Sequence, residues 1–267
     1  MSNLSIIDTH AHLGAKDFKE DLTEVIIRAL QASVSTIITV GVDLESNQAA
    51  INLAEKYPEV LAAVGFHPHQ ANTVKETDVD KLAKFVDHPK VVAIGEAGLD
   101  FYRNYSSRDV QLQVLKWQLK LAIGLEVPVI IHCRQAETEL LSLLSDCIRH
   151  HKNPSIRYQG VIHCFMGNTN TAQQYLDMGF HLSFGAYIGY PNASNMHAVI
   201  KGIPQDRLLV ETDCPFLPPQ VQRGQRNEPA YLPLTVALLA EIREVSFDTI
   251  SRETTQNALR LFGGTVR

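Results

Sequence analysis

Short apolar segments alternate with longer segments of helical periodicity along the whole chain. Eight of these segments are rich in β-branched residues, and most are continuously apolar rather than alternating. Continuous apolar segments are typical of parallel strands that are covered on both faces. The predicted strands are residues 5–8, 36–40, 61–65, 91–95, 127–131, 160–163, 181–184 and 208–212.

Helical periodicity fills the intervals between the predicted strands. The first helix has apolar residues at the i, i+3, i+4, i+7 and i+8 spacing of one buried face, which are Leu22, Val25, Ile26, Ala29 and Leu30. Similar patterns occur in segments 79–86, 107–125 and 248–262. Strands that alternate with helices indicate repeated βα units around a parallel sheet.

The number of units predicts an α/β fold, a (β/α)₈ TIM barrel, in a single domain that spans residues 1–267. About 250 residues is a typical length for this barrel. An open, doubly wound sheet is the alternative. The first predicted strand is not followed by the GxGxxG pattern of a dinucleotide-binding sheet, which favours the barrel.

Composition and charge narrow the classes of protein. The 45% hydrophobic and 20% charged residues are typical of a globular chain with a substantial core. With a formal net charge of −5, the chain lacks the overall positive potential with which sequence-independent duplex binders hold phosphates. Bound divalent cations would supply positive charge locally, so an anionic substrate remains compatible with this charge.

The cysteines and the lack of apolar targeting segments indicate the cellular compartment of the protein. The four cysteines form no CxxC pair, which favours a reducing cytoplasm. We recognise no signal peptide and no apolar run long enough to span a bilayer. We therefore expect a cytoplasmic protein without a membrane partner, and nothing in the sequence requires an obligatory protein partner.

Residues that commonly bind metals follow the predicted strands at their carboxyl ends. Because side chains alternate along a strand, the two histidines after the first strand point to the same side. Barrel enzymes place their active sites at this end of the strands. The sequence therefore predicts a metal site there, and its candidate ligands are His10, His12, Glu96, His132, His163 and Asp213.

This set of residue types indicates hydrolysis. Imidazoles with carboxylates suit zinc, manganese, iron and similar divalent ions, and one carboxylate can bridge two ions. Two such ions polarise an electrophile and activate a water near neutral pH. A single histidine at a strand end is more often structural, but Glu96 and Asp213 would be costly to bury unless they are paired or metal-bound.

Other polar residues near the strand ends are candidate substrate contacts. His67 follows the third strand and either contacts a substrate phosphate or orders its own loop. Four arginines are candidate phosphate ligands, with solvated loop charge as the alternative for each. They are Arg103, Arg134, Arg223 and Arg226. The histidines interpreted as structural or solvated are His69, His150, His151, His181 and His197.

The ordered motifs of the chain resemble those of the TatD family of metal-dependent deoxyribonucleases, within the amidohydrolase-like barrel superfamily. The resemblance covers nearly the whole chain. Its motifs are Asp-Thr-His-Ala-His at 8–12, Gly-Phe-His-Pro at 65–68, Gly-Glu-Ala-Gly-Leu-Asp-Phe-Tyr-Arg at 95–103, Ile-His-Cys-Arg at 131–134, His-Cys-Phe at 163–165, Glu-Thr-Asp-Cys-Pro at 211–215 and Arg-Asn-Glu-Pro at 226–229.

The resemblance implies two divalent ions, Mg²⁺ or Mn²⁺, with Zn²⁺ also compatible. By position, one ion would have the ligands His10, His12, Glu96 and Asp213, and the other Glu96, His132 and His163. Glu96 and Asp213 would be the catalytic residues, with Asp213 accepting a proton from the attacking water. The implied activity is 3′–5′ exonuclease hydrolysis of DNA that is single-stranded or has a free 3′ end.

The chain departs from the common family pattern at the rim and leaves another function open. Cys133 and Gln135 stand where Ser and Asp are frequent, and Met166 replaces a small polar residue, but every ligand position is filled. The alternative function is a small-molecule amidohydrolase or phosphoesterase that uses the same metal centre. A non-catalytic scaffold is disfavoured because all six ligand positions are occupied by suitable residues.

Overall fold

The computed structural model describes residues 5–149 and 159–263, and it contains eight parallel strands that hydrogen-bond in chain order. His150 and His151 lie outside the described residues. The strands are β1 Ile6–Ala11, β2 Val34–Val40, β3 Val60–Val64, β4 Val91–Asp100, β5 Val129–Arg134, β6 Gly160–Ile162, β7 His181–Phe184 and β8 Leu208–Val210. Each pairs in parallel with the next, as a barrel requires.

Main-chain hydrogen bonds join the two ends of the sheet. The N–H of Asp213 donates to the carbonyl of His10 at 2.9 Å, and the N–H of His12 donates to the carbonyl of Cys214 at 2.8 Å. Ala11 and Cys214 also form a parallel bridge. The predicted (β/α)₈ barrel is therefore confirmed, and the open-sheet alternative is wrong.

Helices follow the strands around the barrel. They are α1 Leu22–Gln31, α2 Leu44–Lys56, α3 Glu76–Val86, α4 Arg108–Leu125, α5 Glu137–Arg149, α6 Thr169–Asp177, α7 Asn195–Gly202, α8 Leu232–Arg243 and α9 Phe247–Phe262. One residue of the predicted buried face of α1 is placed differently: Leu30 is 41% exposed. At about 100° per residue, it lies at the edge of a stripe centred on Val25, Ile26 and Ala29, which are buried.

Several strand ends differ from the prediction. β4 continues to Asp100 and β5 to Arg134, because their ladder extends past the apolar residues to the pair of Asp100 with Arg134. β6 and β8 end earlier than predicted. Beyond those two strands the backbone turns, and Cys164 and Asp213 have φ values of 45° and 55°. These turns place the neighbouring polar side chains at the barrel mouth.

The barrel is filled with side chains. One buried cluster takes residues from every strand except β7, including Ile7, Ile38, Val92, Ile130 and Leu209. Side chains from so many strands can meet only inside the barrel, which is therefore a packed core rather than a pore. Within the part of the chain that the structure describes, we find no helix long and apolar enough to cross a membrane.

Buried amide side chains hold the segment that leads from β3 into the barrel mouth. Asn47 of α2 donates to the carbonyl of Gly65 at 3.0 Å and accepts from its N–H at 2.9 Å. Gln118 of α4 makes the same pair of bonds with Phe66, at 3.0 and 2.8 Å. These bonds satisfy main-chain groups that have left the sheet ladder, and they fix the residue that follows, His67.

A third amide acts in the same way at the end of β4. The main-chain N–H of Asp100 donates to Gln111 at 2.8 Å, and the Gln111 amide donates to the carbonyls of Asp100 at 3.1 Å and Ser106 at 2.8 Å. Gln111 is fully buried on α4. Helix α4 therefore positions two strand ends through side-chain amides.

We predict that Gln118→Ala lowers the free energy of unfolding by roughly 2–4 kcal/mol, because two buried main-chain groups of Phe66 lose their partners. Chemical denaturation measures this change. Gln113→Ala, at an exposed position of the same helix, is the matched control and should change the unfolding free energy by less than about 0.5 kcal/mol. Equal midpoints for the two variants would contradict the role assigned to Gln118.

Candidate metal centre

Glu96 lies at the centre of the barrel mouth, and its two carboxylate oxygens face different histidines. Oε1 is 2.8 Å from Nδ1 of His132 and 2.9 Å from Nε2 of His163. Oε2 is 3.5 Å from Nε2 of His10 and 3.6 Å from Nε2 of His12. The two pairs correspond to the two ligand groups that the family resemblance implies on either side of Glu96.

Asp213 completes the first group. Its Oδ1 is 3.4 Å from Nε2 of His12 and 3.7 Å from Nε2 of His10. Its side chain is 14% exposed, whereas that of Glu96 is 4% exposed. All six candidate ligands thus converge on one site, and Asp213 is more accessible than the carboxylate at its centre.

The ring nitrogens of this site are arranged in a way that suits a cation. Nε2 of His10 and Nε2 of His12 are 3.2 Å apart, and Nδ1 of His132 and Nε2 of His163 are 3.3 Å apart. Two facing imidazole nitrogens can share only one proton, whereas a cation accepts a lone pair from both. Ligand atoms of His10, His12 and Glu96 lie within 4.8 Å of one another. The residues present therefore fit a divalent cation.

The electrostatics keep the central carboxylate ionised. Burial alone would raise the pKa of Glu96, but the surrounding imidazoles, including that of His163, hold that pKa well below its usual value. Burial likewise opposes a charge on His163, yet Glu96 and Glu211 raise the pKa of its imidazole well above the ordinary value. The pocket is thus built around a negative charge that positive groups must balance.

Asp8 ties the first strand to the eighth directly beneath the site. Its carboxylate accepts hydrogen bonds from the main-chain N–H of Thr212 at 2.9 Å and from the Thr212 hydroxyl at 2.6 Å. It also accepts from the N–H of His10 at 3.3 Å. Burial raises the pKa of Asp8 to about 7. The residue therefore sets the relative position of His10 and Asp213, a role that sequence reasoning did not assign to it.

Two further carboxylates support the candidate ligands and were also missed. Asp100 lies 2.8 Å from Nε2 of His69 and 3.4 Å from Nε2 of His132. Glu211 lies 3.4 Å from Nδ1 of His163 and accepts the main-chain N–H of Cys164 at 2.6 Å. Carboxylates that contact the ring nitrogens of histidine ligands orient those rings. Their position at strand ends was the available signal.

A cavity of about 700 Å³ opens above the centre. Some of the expected substrate contacts line it, and the others do not. His67, Arg103 and Arg134 line it. His69, which was expected to be structural or solvated, also lines it and contacts Asp100, so that expectation was incomplete.

The other two arginines are engaged elsewhere. Arg226 donates two hydrogen bonds to the carboxylate of Asp21, both at 2.7 Å, and Arg223 lies over the ring of Tyr190, 4.6 Å from its centroid. Among the described residues that line the cavity, neither arginine is present. Arg226 therefore fastens the loop after β8 to the start of α1, which Asp21 precedes.

Comparison with known proteins places the chain in one group. Residues 7–263 match the family model described as TatD related DNase. An uncharacterized metal-dependent hydrolase, YabD of Bacillus subtilis, is 40% identical over 257 residues, which cover 96% of this chain and 98% of that protein. The 3′-5′ ssDNA/RNA exonuclease TatD of Pectobacterium atrosepticum is 34% identical over 263 residues, covering 96% and 99%.

A solved structure supports the same relationship. The crystal structure of YJJV, a TatD homolog from Escherichia coli K12, superposes with a TM-score of 0.90 at 33% sequence identity. The superposition covers 98% of this chain and 99% of that one. Both the barrel and its connections are therefore shared along the full length.

We predict that metal-stripped protein binds two Mn²⁺ ions per chain in a calorimetric titration, and that Glu96→Gln binds fewer ions and more weakly. The neutral amide removes the charge that both ligand groups face. Glu20→Gln, at an exposed position, is the control and should bind as the unaltered protein does. Identical titrations for the Glu96 variant and the unaltered protein would remove Glu96 from the centre.

Proposed function

The chain belongs to the family of TatD-related DNases and is a metal-dependent hydrolase, and from this premise we propose that it is a 3′–5′ exonuclease acting on DNA phosphodiesters. The observation that carries the proposal is the division of the Glu96 oxygens between two groups of histidines. Additional support comes from the relative named as a 3′-5′ ssDNA/RNA exonuclease, which aligns over nearly the whole chain.

Two divalent cations, Mg²⁺ or Mn²⁺, are proposed as the cofactors, with Zn²⁺ as a third candidate. One would be held by His10, His12, Glu96 and Asp213 and the other by Glu96, His132 and His163. When bound, such cations offset the negative charge of a phosphodiester and make a water easier to deprotonate. Asp100 and Glu211 keep the rings of His132 and His163 turned toward Glu96 through their contacts with the opposite ring nitrogens.

Asp213 is proposed to accept the proton of the attacking water. Burial would raise the pKa of its carboxyl, but the hydrogen bond with His12 and the charges of the nearby imidazoles lower that pKa, so the carboxylate is ionised near neutral pH. Its side chain is also the more exposed of the two candidate carboxylates. A water in the cavity can therefore approach it, as a general base requires.

Arg103, Arg134 and His67 are proposed to hold the substrate. The two guanidinium groups line the cavity and present forked donors that match phosphate oxygens. Burial lowers the pKa of His67 to about 4, so its imidazole is neutral at pH 7 and contributes a hydrogen bond rather than a charge. Binding through these few local contacts is compatible with the formal net charge of −5.

We also propose that this activity operates in the cytoplasm. The four cysteines are free, and three of them are partly exposed. Thiols of this kind stay reduced in the cytoplasm, whereas exposed thiols in oxidising compartments tend to pair.

We predict that metal-stripped protein shortens 5′-labelled single-stranded DNA only when Mg²⁺, Mn²⁺ or Zn²⁺ is restored, each supplied separately. Glu96→Ala should abolish the shortening. Asp213→Asn should lower kcat by about 100-fold or more, because the amide cannot accept the proton. Asp80→Asn, at an exposed position of α3, is the control and should leave kcat unchanged.

The outcomes separate the two functions. Shortening from the 3′ end that requires added metal supports the exonuclease. If no metal restores cleavage although the calorimetric titration demonstrates bound ions, the nuclease proposal is overturned and the small-molecule hydrolase takes its place.

A further inference from the structure

Phe216 is an exposed aromatic residue at the edge of the cavity. It lies in the segment after β8, lines the cavity together with Asp213, and is 58% exposed. Its ring meets the ring of His12 edge-on, with centroids 5.8 Å apart and an interplanar angle of 69°. A large flat apolar surface therefore borders the candidate metal centre and is largely open to solvent.

The backbone under Phe216 is held firmly. The N–H of Phe216 donates to the carbonyl of Asp213 at 2.9 Å. The amide of Asn227, which is buried, donates to the carbonyls of Phe216 at 2.7 Å and Thr212 at 2.8 Å. The next residue toward the N-terminus, Arg226, is tied to α1 through its ion pair. The exposed ring is thus presented on a fixed support, which lowers the cost of ordering it when a ligand binds.

Arg103 and Arg134 form a cationic wall on the side of the barrel mouth that is opposite Phe216. The guanidinium carbons of Arg134 and Arg103 lie 4.1 and 5.6 Å from the centroid of the Tyr102 ring. These residues follow or end β4 and β5, which lie across the eight-stranded ring from β8. Both guanidinium groups therefore lie against the same aromatic ring, and both side chains line the cavity above Glu96.

A strand of nucleic acid carries two features that fit Phe216 and the cationic wall. Each nucleotide joins a flat base to a charged phosphate, and an unpaired base can turn out of its stack to lie on an aromatic side chain. A base within a duplex has both faces covered and must be extruded first, at a cost of a few kcal/mol. An aromatic face opposite two arginines would therefore accept an unpaired nucleotide more readily than a paired one.

We propose that Phe216 is a base-stacking residue for an unpaired nucleotide, opposite a phosphate-binding pair formed by Arg103 and Arg134. This inference rests on the proposed function and deepens it, because stacking on Phe216 makes the centre select single-stranded ends. Stacking operates in the bound substrate and in the transition state alike. Phe216 is therefore a specificity residue that acts on KM rather than on kcat.

The test compares ordinary single-stranded DNA with a strand whose 3′-terminal nucleotides lack bases. For the ordinary strand, Phe216→Ala should raise KM about tenfold with little change in kcat, in the range of stacking on one base. Phe216→Trp should restore the low KM. For the strand without terminal bases, the unaltered protein and Phe216→Ala should have the same KM. Val221→Ala is the control, since Val221 is 78% exposed in the same loop.

The results distinguish failure of this inference from failure of the proposed function. If the unaltered protein degrades DNA and Phe216→Ala leaves KM unchanged, the stacking role is overturned and the exonuclease stands. If Phe216→Ala raises KM equally for both strands, the ring does not act on the base, and the inference is overturned as well. If the unaltered protein cleaves no nucleic acid with any of the three metals, both proposals fall together.

Discussion

The structure depends on how buried polar groups are satisfied at the point where the parallel strands end. The sheet ladder stops there, yet the main chain remains buried, so each free N–H and C=O requires another partner. Asn47, Gln111 and Gln118 supply those partners from α2 and α4, and Asp8 does so at the end of β8. The helices are consequently fastened to the residues that carry the chemistry as well as packed against the strands.

The same requirement explains the composition of the centre. A carboxylate as deeply buried as that of Glu96 is costly unless positive groups surround it. Protonated imidazoles that approach its two oxygens provide that balance in the metal-free protein, and divalent cations held by the neutral rings would provide it when bound. Because Asp100 and Glu211 contact the far nitrogens of two of these rings, the positive groups are themselves held in orientation. Removing any one charge from this arrangement leaves its neighbours unbalanced.

The sequence predicted structure correctly where a residue type at a given position had only one physical explanation. Continuous apolar strands and polar residues at their carboxyl ends predicted the barrel and the convergence of all six candidate ligands. Roles that depend on contacts between distant segments could not be predicted from the sequence. Nothing local distinguishes buried Gln118 from exposed Gln113 on the same helix, or indicates that Arg226 pairs with Asp21 rather than facing the cavity. The error at Leu30 arose because an edge position of a helical stripe shares the spacing of its centre.

The hydrogen bonds that join β1 to the residues after β8 have a consequence for the synthesis of the protein. The hydrogen bonds from Thr212 to Asp8 join residues that are 204 positions apart, and they bring His10 and His12 beside Asp213. A ribosome therefore produces the two histidines long before their carboxylate partner. A chain that is interrupted before β8 lacks Asp213, which is both a proposed ligand of the first group and the proposed base. The centre therefore cannot assemble until β8 and the residues after it have been made, so hydrolytic activity appears only once the barrel can close.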